Sequence, residues 1–268
     1  MYIGKLSDDR LASASRVAAI MGLSKWNSQN DELFKSIAAI DAGEARPETN
    51  RGPGNEQMGI GIELEEPILQ MGRRRLDVRM DPHVDKVFKA DDMELQSSVD
   101  AILYGEGQII EDNPSNGIYV LGGGSMRLDG PGIGEAKNTR AAPTLEPAAY
   151  RGLWQVHAGM MCSGYKWGAI FTLFQGSELR VFLMREDLEA QQKIREAVTD
   201  FTSRLELYKR DGVVEKYPAF SPADGANAYA TTEDDSSAIQ LDNELSNAAL
   251  ELAAKREELS STNVRLGK

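Results

Sequence analysis

From about Asp77 to Arg140 the chain breaks into short β-prone runs, VFKAD, LQSSVDAILYG, GQIIED, GIYVLGG and GIGEAKN, each bounded by Gly, Asn, Asp or Pro. No other feature narrows the fold as much, because it predicts a meander of hairpins set between helical segments. Ahead of it, SASRVAAIMGLS (13–24) has apolar residues at helical spacing, with Ser13 as N-cap and Gly22 near the stop. NDELFKSIAAIDAG (30–43) predicts a second helix ended by Gly43, and MGIGIELEEPILQMG opens a third, whose early glutamates suit the helix dipole. After the meander come a helix over 148–164, a hairpin over 166–185 turning at Gly176, and a long amphipathic helix. This order predicts an α/β protein with a central mixed sheet flanked by helices.

Residues 221–237 have the composition of a linker. Beyond them Leu245, Leu252 and Leu259 fall seven apart. The expected organisation is one domain over 1–220, then an acidic linker and heptad-like helix over 221–268. No apolar run reaches the ~20 residues of a membrane span, and the start MYIGKLSDDR lacks signal-peptide regions, so the expected location is the cytoplasm. A single cysteine, Cys162, excludes an internal disulfide and a cysteine-ligated zinc or iron–sulfur site. It is expected to be a buried small apolar residue.

The net charge of −12 argues superficially against a polyanionic partner. However, residues 221–268 hold nine acids against four bases, and basic clusters persist in GRRRLDVR (72–79) and at Lys137, Arg140 and Arg151. Those arginines are a solvated stripe or a binding surface, and net charge does not decide between them.

The chemistry turns on GIGEAKNTR (132–140). In a strand Glu135 and Lys137 share a face with Ala136 opposite. A surface pair, a structural salt bridge, and an anion and cation held together for catalysis all fit those nine residues. Phosphodiester hydrolysis needs carboxylates that hold one or two Mg²⁺ ions, plus a lysine that orients or deprotonates water. Asp100, an acid inside an apolar run, is costly to bury unpaired and is expected at a strand end or as a ligand. Glu65 lies on the preceding helix and Gln155 on the following one.

Taken in order, ASRVAAIMGLSKW, GIELEEP, SSVDAIL, GEAKNTR and YRGLWQVHAGMMCSGYKWGAIF, spanning about residues 11 to 188, resemble the YqaJ-like viral recombinase family. That family includes lambda exonuclease and lies within the PD-(D/E)XK nuclease superfamily. The resemblance implies a restriction-endonuclease-like core and an exonuclease acting on double-stranded DNA ends, 5′ to 3′. It also implies a phage single-strand annealing protein as partner and a ring-forming homo-oligomer. It implies that Asp100, Glu135 and the main-chain carbonyl of Ala136 hold Mg²⁺, with Mn²⁺ as the alternative. Lys137 would be the catalytic lysine, with Glu65 and Gln155 positioning metal, water or phosphate. Arg10 and Ser15 would meet the DNA phosphate at the 5′ end, although Ser13 and Ser15 also suit helix capping.

The chain departs from the family pattern in three places. Ser98-Val99-Asp100-Ala101 stands where the family has Ser-Pro-Asp-Gly, and a glycine-rich insertion over about 104–132 separates Asp100 from Glu135. Glu111 is nearer to Asp100 in sequence but has no lysine two residues on. His157 replaces a glutamine and is expected as a satisfied histidine on the helix surface, while His83 is expected to be structural. Trp154 and Trp167 are expected in the core, and Trp26, on a polar loop, to be open to DNA bases. Competing readings are a restriction-like or structure-specific endonuclease on the same fold, and a non-catalytic acidic binding protein.

Overall fold

The computed structural model describes residues 7–45, 56–82, 84–148 and 152–219. The first half comprises strand β1 (Ala12–Ser13), helices α1 (Val17–Ile20), α2 (Gln29–Ala42) and α3 (Glu56–Leu76), and strands β2 (Arg79–Asp81), β3 (Phe88–Lys89), β4 (Leu95–Ser97) and β5 (Ala101–Glu111). There follow β6 (Ile118–Val120), β7 (Ser125–Thr139), α4 (Trp154–Ser163), β8 (Trp167–Phe174), β9 (Glu178–Arg185) and α5 (Leu188–Asp211). The 221–268 segment, His83 and Arg151 lie outside the described residues. Among the described residues no helix is long and apolar enough to cross a membrane.

The mixed α/β architecture agrees with the sequence, but its strands divide between two sheets. A six-stranded sheet has the order β2-β5-β7-β8-β9-β6, and a small three-stranded one the order β1-β4-β3. β8 pairs in parallel with β7 and antiparallel with β9, and all eight of its residues are buried. Such a run of apolar residues is what a strand covered on both faces requires. One face carries Ile133, Val156, Ile170 and Phe182 with α4 and α5; the other carries Leu69, Leu103, Phe171 and Leu183 with α3.

The division separates the run LQSSVDAILYG. Leu95–Ser97 belong to the small sheet, the chain bends at Ser98–Asp100, and Ala101 starts β5 of the large one. GQIIED is no separate strand; it continues β5 past a bulge between Glu106 and Ile109. The 104–132 segment is therefore largely an extension of β5 and β7, whose connection also supplies β6 to pair with β9.

The helix expected over 13–24 is shorter and broken. A 3₁₀ turn over Ala14–Arg16 leads into the single turn of α1, and Ser13 makes no side-chain capping bond because it is a strand residue of β1. The second helix matches expectation, with a capping box between Ser28 and Asp31 and a left-handed Gly43 at its end. Trp167 is buried with its indole N–H 3.2 Å from the Asp129 carbonyl, Trp154 is partly buried, and Trp26 is 65% exposed. Cys162 is buried, and burial pushes its thiol up to about 12.

The N-terminal segment is fixed by Arg16, 6% exposed, whose guanidinium donates to Glu32 Oε2 at 2.5 Å, to the carbonyls of Asp9, Leu11 and Glu32, and to Ser36 Oγ. Removing one partner of a buried ion pair strands the other. Arg16→Met is therefore expected to destabilise the protein by about 3–5 kcal/mol, read from urea denaturation; a change below about 1 kcal/mol would contradict this role.

Candidate active site

Ala101 pairs with Gly134 in the antiparallel β5–β7 ladder, so Asp100, one residue before, lies across from Glu135 on the same face. The Asp100 carboxylate accepts the Ala136 N–H at 2.9 Å, closing the ladder where the backbone of β5 leaves off. An acid at a strand end was one of the two settings expected for it. Because the N–H and C=O of a strand residue point to the same side, the Ala136 carbonyl also faces the opening beyond Ala101.

Glu135 is 2% exposed and forms an ion pair with Lys137, two residues on along the same face. The Lys137 ammonium also donates to Gln155 Oε1 at 3.2 Å. Gln155 can reach it because α4 lies close on the sheet: a side chain at Gly159 would come 2.7 Å from Ile133 Cδ1. The chain enters α4 through Gly152 at φ +91°, a conformation that favours glycine, next to the Lys137 stem.

Glu65 approaches from α3. Burial, and then the negative charge of Asp100, push its carboxyl from an ordinary 4.5 up to about 7, while Lys137 pulls the other way. That pattern places the three groups in one neighbourhood. Since the folded pKa exceeds the unfolded one, this group favours folding below about pH 4.5, and that contribution is lost as pH rises through about 7. Metal-free Glu65→Gln is accordingly expected to gain stability over the parent at pH 8, with the gain shrinking towards pH 5 in parallel thermal melts. An equal difference at both pH values would contradict the assignment.

Among the described residues no three Asp, Glu, His or Cys side chains gather as a ready metal cage. The candidate donors are two cross-strand carboxylates and a carbonyl, hard oxygens of the type Mg²⁺ accepts alongside water. Glu65 brings a third carboxyl near Asp100, whose charge adds to burial in raising its pKa, so the residues fit a divalent cation.

Arg10 and Ser15 stand apart from this group. Arg10 is held by Asp8 at 2.7 Å, and Ser15 lies 3.4 Å from Ser13, oxygen to oxygen. β1 runs parallel to β4, with Ser13 opposite Gln96, which directs this segment towards the bend that carries Asp100. The Gln96 amide exchanges two hydrogen bonds with the backbone of Asp8 and so clips the segment in place. Ser98, in that bend, has a buried Oγ without a hydrogen-bond partner. Sequence reasoning gave it no role, and only its place one residue from the apolar Val99 and two from Asp100 hints at one.

His157 is not on the surface. It is 6% exposed, its Nδ1 has no hydrogen-bond partner, and burial lowers its pKa against the pull of Asp187. Two residues past Gln155 it lies about 200° round α4, away from Lys137. Glu111, the other acid near Asp100 in sequence, is at the far end of β5 opposite Ser125, some 35 Å away at ~3.3 Å per residue.

No family model and no curated protein matches the sequence. Among solved structures, LHK-Exo, an alkaline exonuclease from Laribacter hongkongensis, superposes in its dAMP complex with a TM-score of 0.51 over 76% of this chain and 94% of its own, at 16% identity. The fold is that of an alkaline exonuclease. A second LHK-Exo structure gives 0.49 at 15% identity over 76% and 93% of the two chains. A phage-related exonuclease from Haemophilus somnus gives 0.47 at 13% identity over 76% and 96%.

Proposed function

We propose that this chain is a Mg²⁺-dependent deoxyribonuclease that removes nucleotides from the ends of duplex DNA. The observation that carries the reading is the pairing of Asp100 with Glu135 across two strands, with Lys137 and Gln155 beside them, in the fold of an exonuclease that binds dAMP. Asp100, Glu135 and the Ala136 carbonyl would hold Mg²⁺ or Mn²⁺, which when bound would supply charge neutralisation at the phosphate and acidify a water. Lys137 holds its ammonium at the mouth of the site, 21% exposed, where it orients the attacking water and offsets charge on the phosphate oxygens. Gln155 accepts from Lys137 through its oxygen, which leaves its amide nitrogen to donate to phosphate or water. Glu65 would add a further carboxylate to that set. Without a cation the same carboxylates would repel a DNA phosphate.

Cleavage from the 5′ end is what the resemblance to the lambda exonuclease family supports, with Arg10 and Ser15 as the residues that would meet the terminal phosphate. In a phage setting the remaining strand would pass to a single-strand annealing protein for recombination, and a ring of copies would keep the enzyme on its substrate.

Linear duplex labelled at either end is the test. With Mg²⁺ the 5′ label is expected in acid-soluble nucleotides first, with none released in EDTA and covalently closed circles untouched. Rapid nicking of closed circles would establish an endonuclease instead, and no Mg²⁺-dependent release from any DNA would remove the enzymatic reading.

A further inference from the structure

The chain between Lys137 and Gln155 reaches across the sheet before it returns. Lys137 stands opposite Thr172, and Thr172 opposite Arg180. The three side chains therefore share one face, with Arg180 two strand spacings, about 10 Å, from the lysine. Arg180, 14% exposed, pairs with Glu178 at 2.6 Å and lies against the rings of Tyr119 and Phe174. Its remaining nitrogen donates to the Thr144 carbonyl at 2.6 Å. Among the described residues this is the one hydrogen bond that ties 140–148 to a distant part of the chain. The others there are local, from Ala141 N–H to the Thr139 hydroxyl and from the Thr144 hydroxyl to the Glu146 carbonyl. The loop comes back at Gly152, where an added Cβ would lie 3.4 Å from Ile170 and 3.5 Å from the Lys137 stem. Both of its ends thus stand at the site.

The composition of this loop is unusual for an exposed segment. Residues 141–148 read AAPTLEPA, with Glu146 as their single charge, and Leu145 is 70% exposed. Two ordinary causes cover part of this. A lone exposed leucine is common on any surface, and proline stiffens a connection at little entropic cost. Neither calls for a mostly buried arginine whose charge-assisted bond fixes the carbonyl next to that leucine. Neither explains why the Thr144 hydroxyl closes the tip around it. The result is a stiff apolar projection held at the rim of the site. Glu146 beside Leu145 disfavours a phosphate there. An apolar side chain of this kind suits the face of a nucleobase.

The 10 Å between Lys137 and Arg180 corresponds to about three nucleotides at a rise of 3.4 Å. We propose that Leu145 packs on a nucleobase of the DNA end within about three nucleotides of the scissile bond, and that Arg180 is the positioning residue that holds the loop for this contact. Arg180 itself stays with Glu178 and touches no DNA. The proposal rests on the deoxyribonuclease reading of the Asp100–Glu135 site.

The test compares Leu145→Ser, Arg180→Met and the double variant of the full chain, with Arg180→Lys as control, in Mg²⁺-dependent nucleotide release from a 30-base-pair duplex. Methionine keeps the stem against Tyr119 and Phe174, and lysine can still donate to the Thr144 carbonyl. Each single variant is expected to raise KM about tenfold, the scale of losing burial of a leucine side chain, with kcat within about twofold of the parent. Because both act through one contact, the double variant is expected to be no worse than the more affected single one. The lysine control is expected to stay near the parent KM. On a duplex whose terminal three nucleotides are abasic, parent and Leu145→Ser should have equal KM. A parent-like KM for Leu145→Ser on ordinary duplex would overturn the proposal, as would an undiminished effect on abasic ends. Additive effects would overturn the role of Arg180, assigning it to the fold alone. Should Arg180→Met melt below the assay temperature, the exposed Leu145→Ser decides. A parent that releases no nucleotide would instead remove the nuclease reading on which the contact rests.

Discussion

Replacing Lys137 with alanine is expected to lower Mg²⁺-dependent nucleotide release by about 10³-fold, within the range for loss of a group that handles the proton of the attacking water. The substitution removes the ammonium from Glu135, a carboxylate 2% exposed, and from Gln155. It should therefore also make the fold sensitive to metal. The metal-free variant is expected to melt below the parent and to regain stability when Mg²⁺ is added, because the cation takes over the neutralisation of Glu135. Circular dichroism at 20 °C should match the parent, which separates loss of chemistry from loss of structure. Unchanged nucleotide release in this variant would remove Lys137, and with it the proposed site.

Asp100→Asn bears on the metal. The asparagine oxygen can still accept the Ala136 N–H, so the bend between the two sheets is preserved while the charge is lost. Changes to residues that merely support a ligand cost about 10–100-fold in metal affinity, and loss of a direct carboxylate is expected to reach or exceed the upper figure. Mn²⁺ binding followed by titration calorimetry would show it, together with a near-complete loss of DNA hydrolysis. Equal Mn²⁺ affinity in parent and variant would exclude Asp100 as a ligand. The variant should also relieve Glu65, whose pKa the Asp100 charge helps to raise.

Much of this site was legible because its chemistry lies on alternating strand positions. Glu135 and Lys137 share a face by the period of two, and Gln155 follows on a helix whose start and end are marked by Gly152 and Gly164. Less legible was whatever depends on pairing between distant segments. The run from Leu95 to Gly105 has no turn signal at its middle, yet it divides between two sheets because β4 takes β1 and β3 as partners while β5 takes β2 and β7. Asp100 thus sits in a bend without the Pro and Gly expected around it; the change of sheet makes the bend. Arg16 falls inside the run expected as a helix, and only the return of α2 beside it supplies Glu32 and Ser36 as partners. His157 carried no mark of its burial, which comes from the packing of α4 against α5.

The bulge between Glu106 and Ile109 has a consequence for how such a chain can diverge. From the acids up to that point β5 and β7 keep one unbroken register. A single insertion or deletion between Ala101 and Glu106 would turn Asp100 to the face opposite Glu135. Past the bulge that register is already broken, so length can change there without disturbing the acids. Relatives of this protein should therefore share the spacing from Asp100 to the bulge while differing in the ribbon beyond it. The same boundary marks where a reporter peptide can be inserted without displacing Asp100 from Glu135.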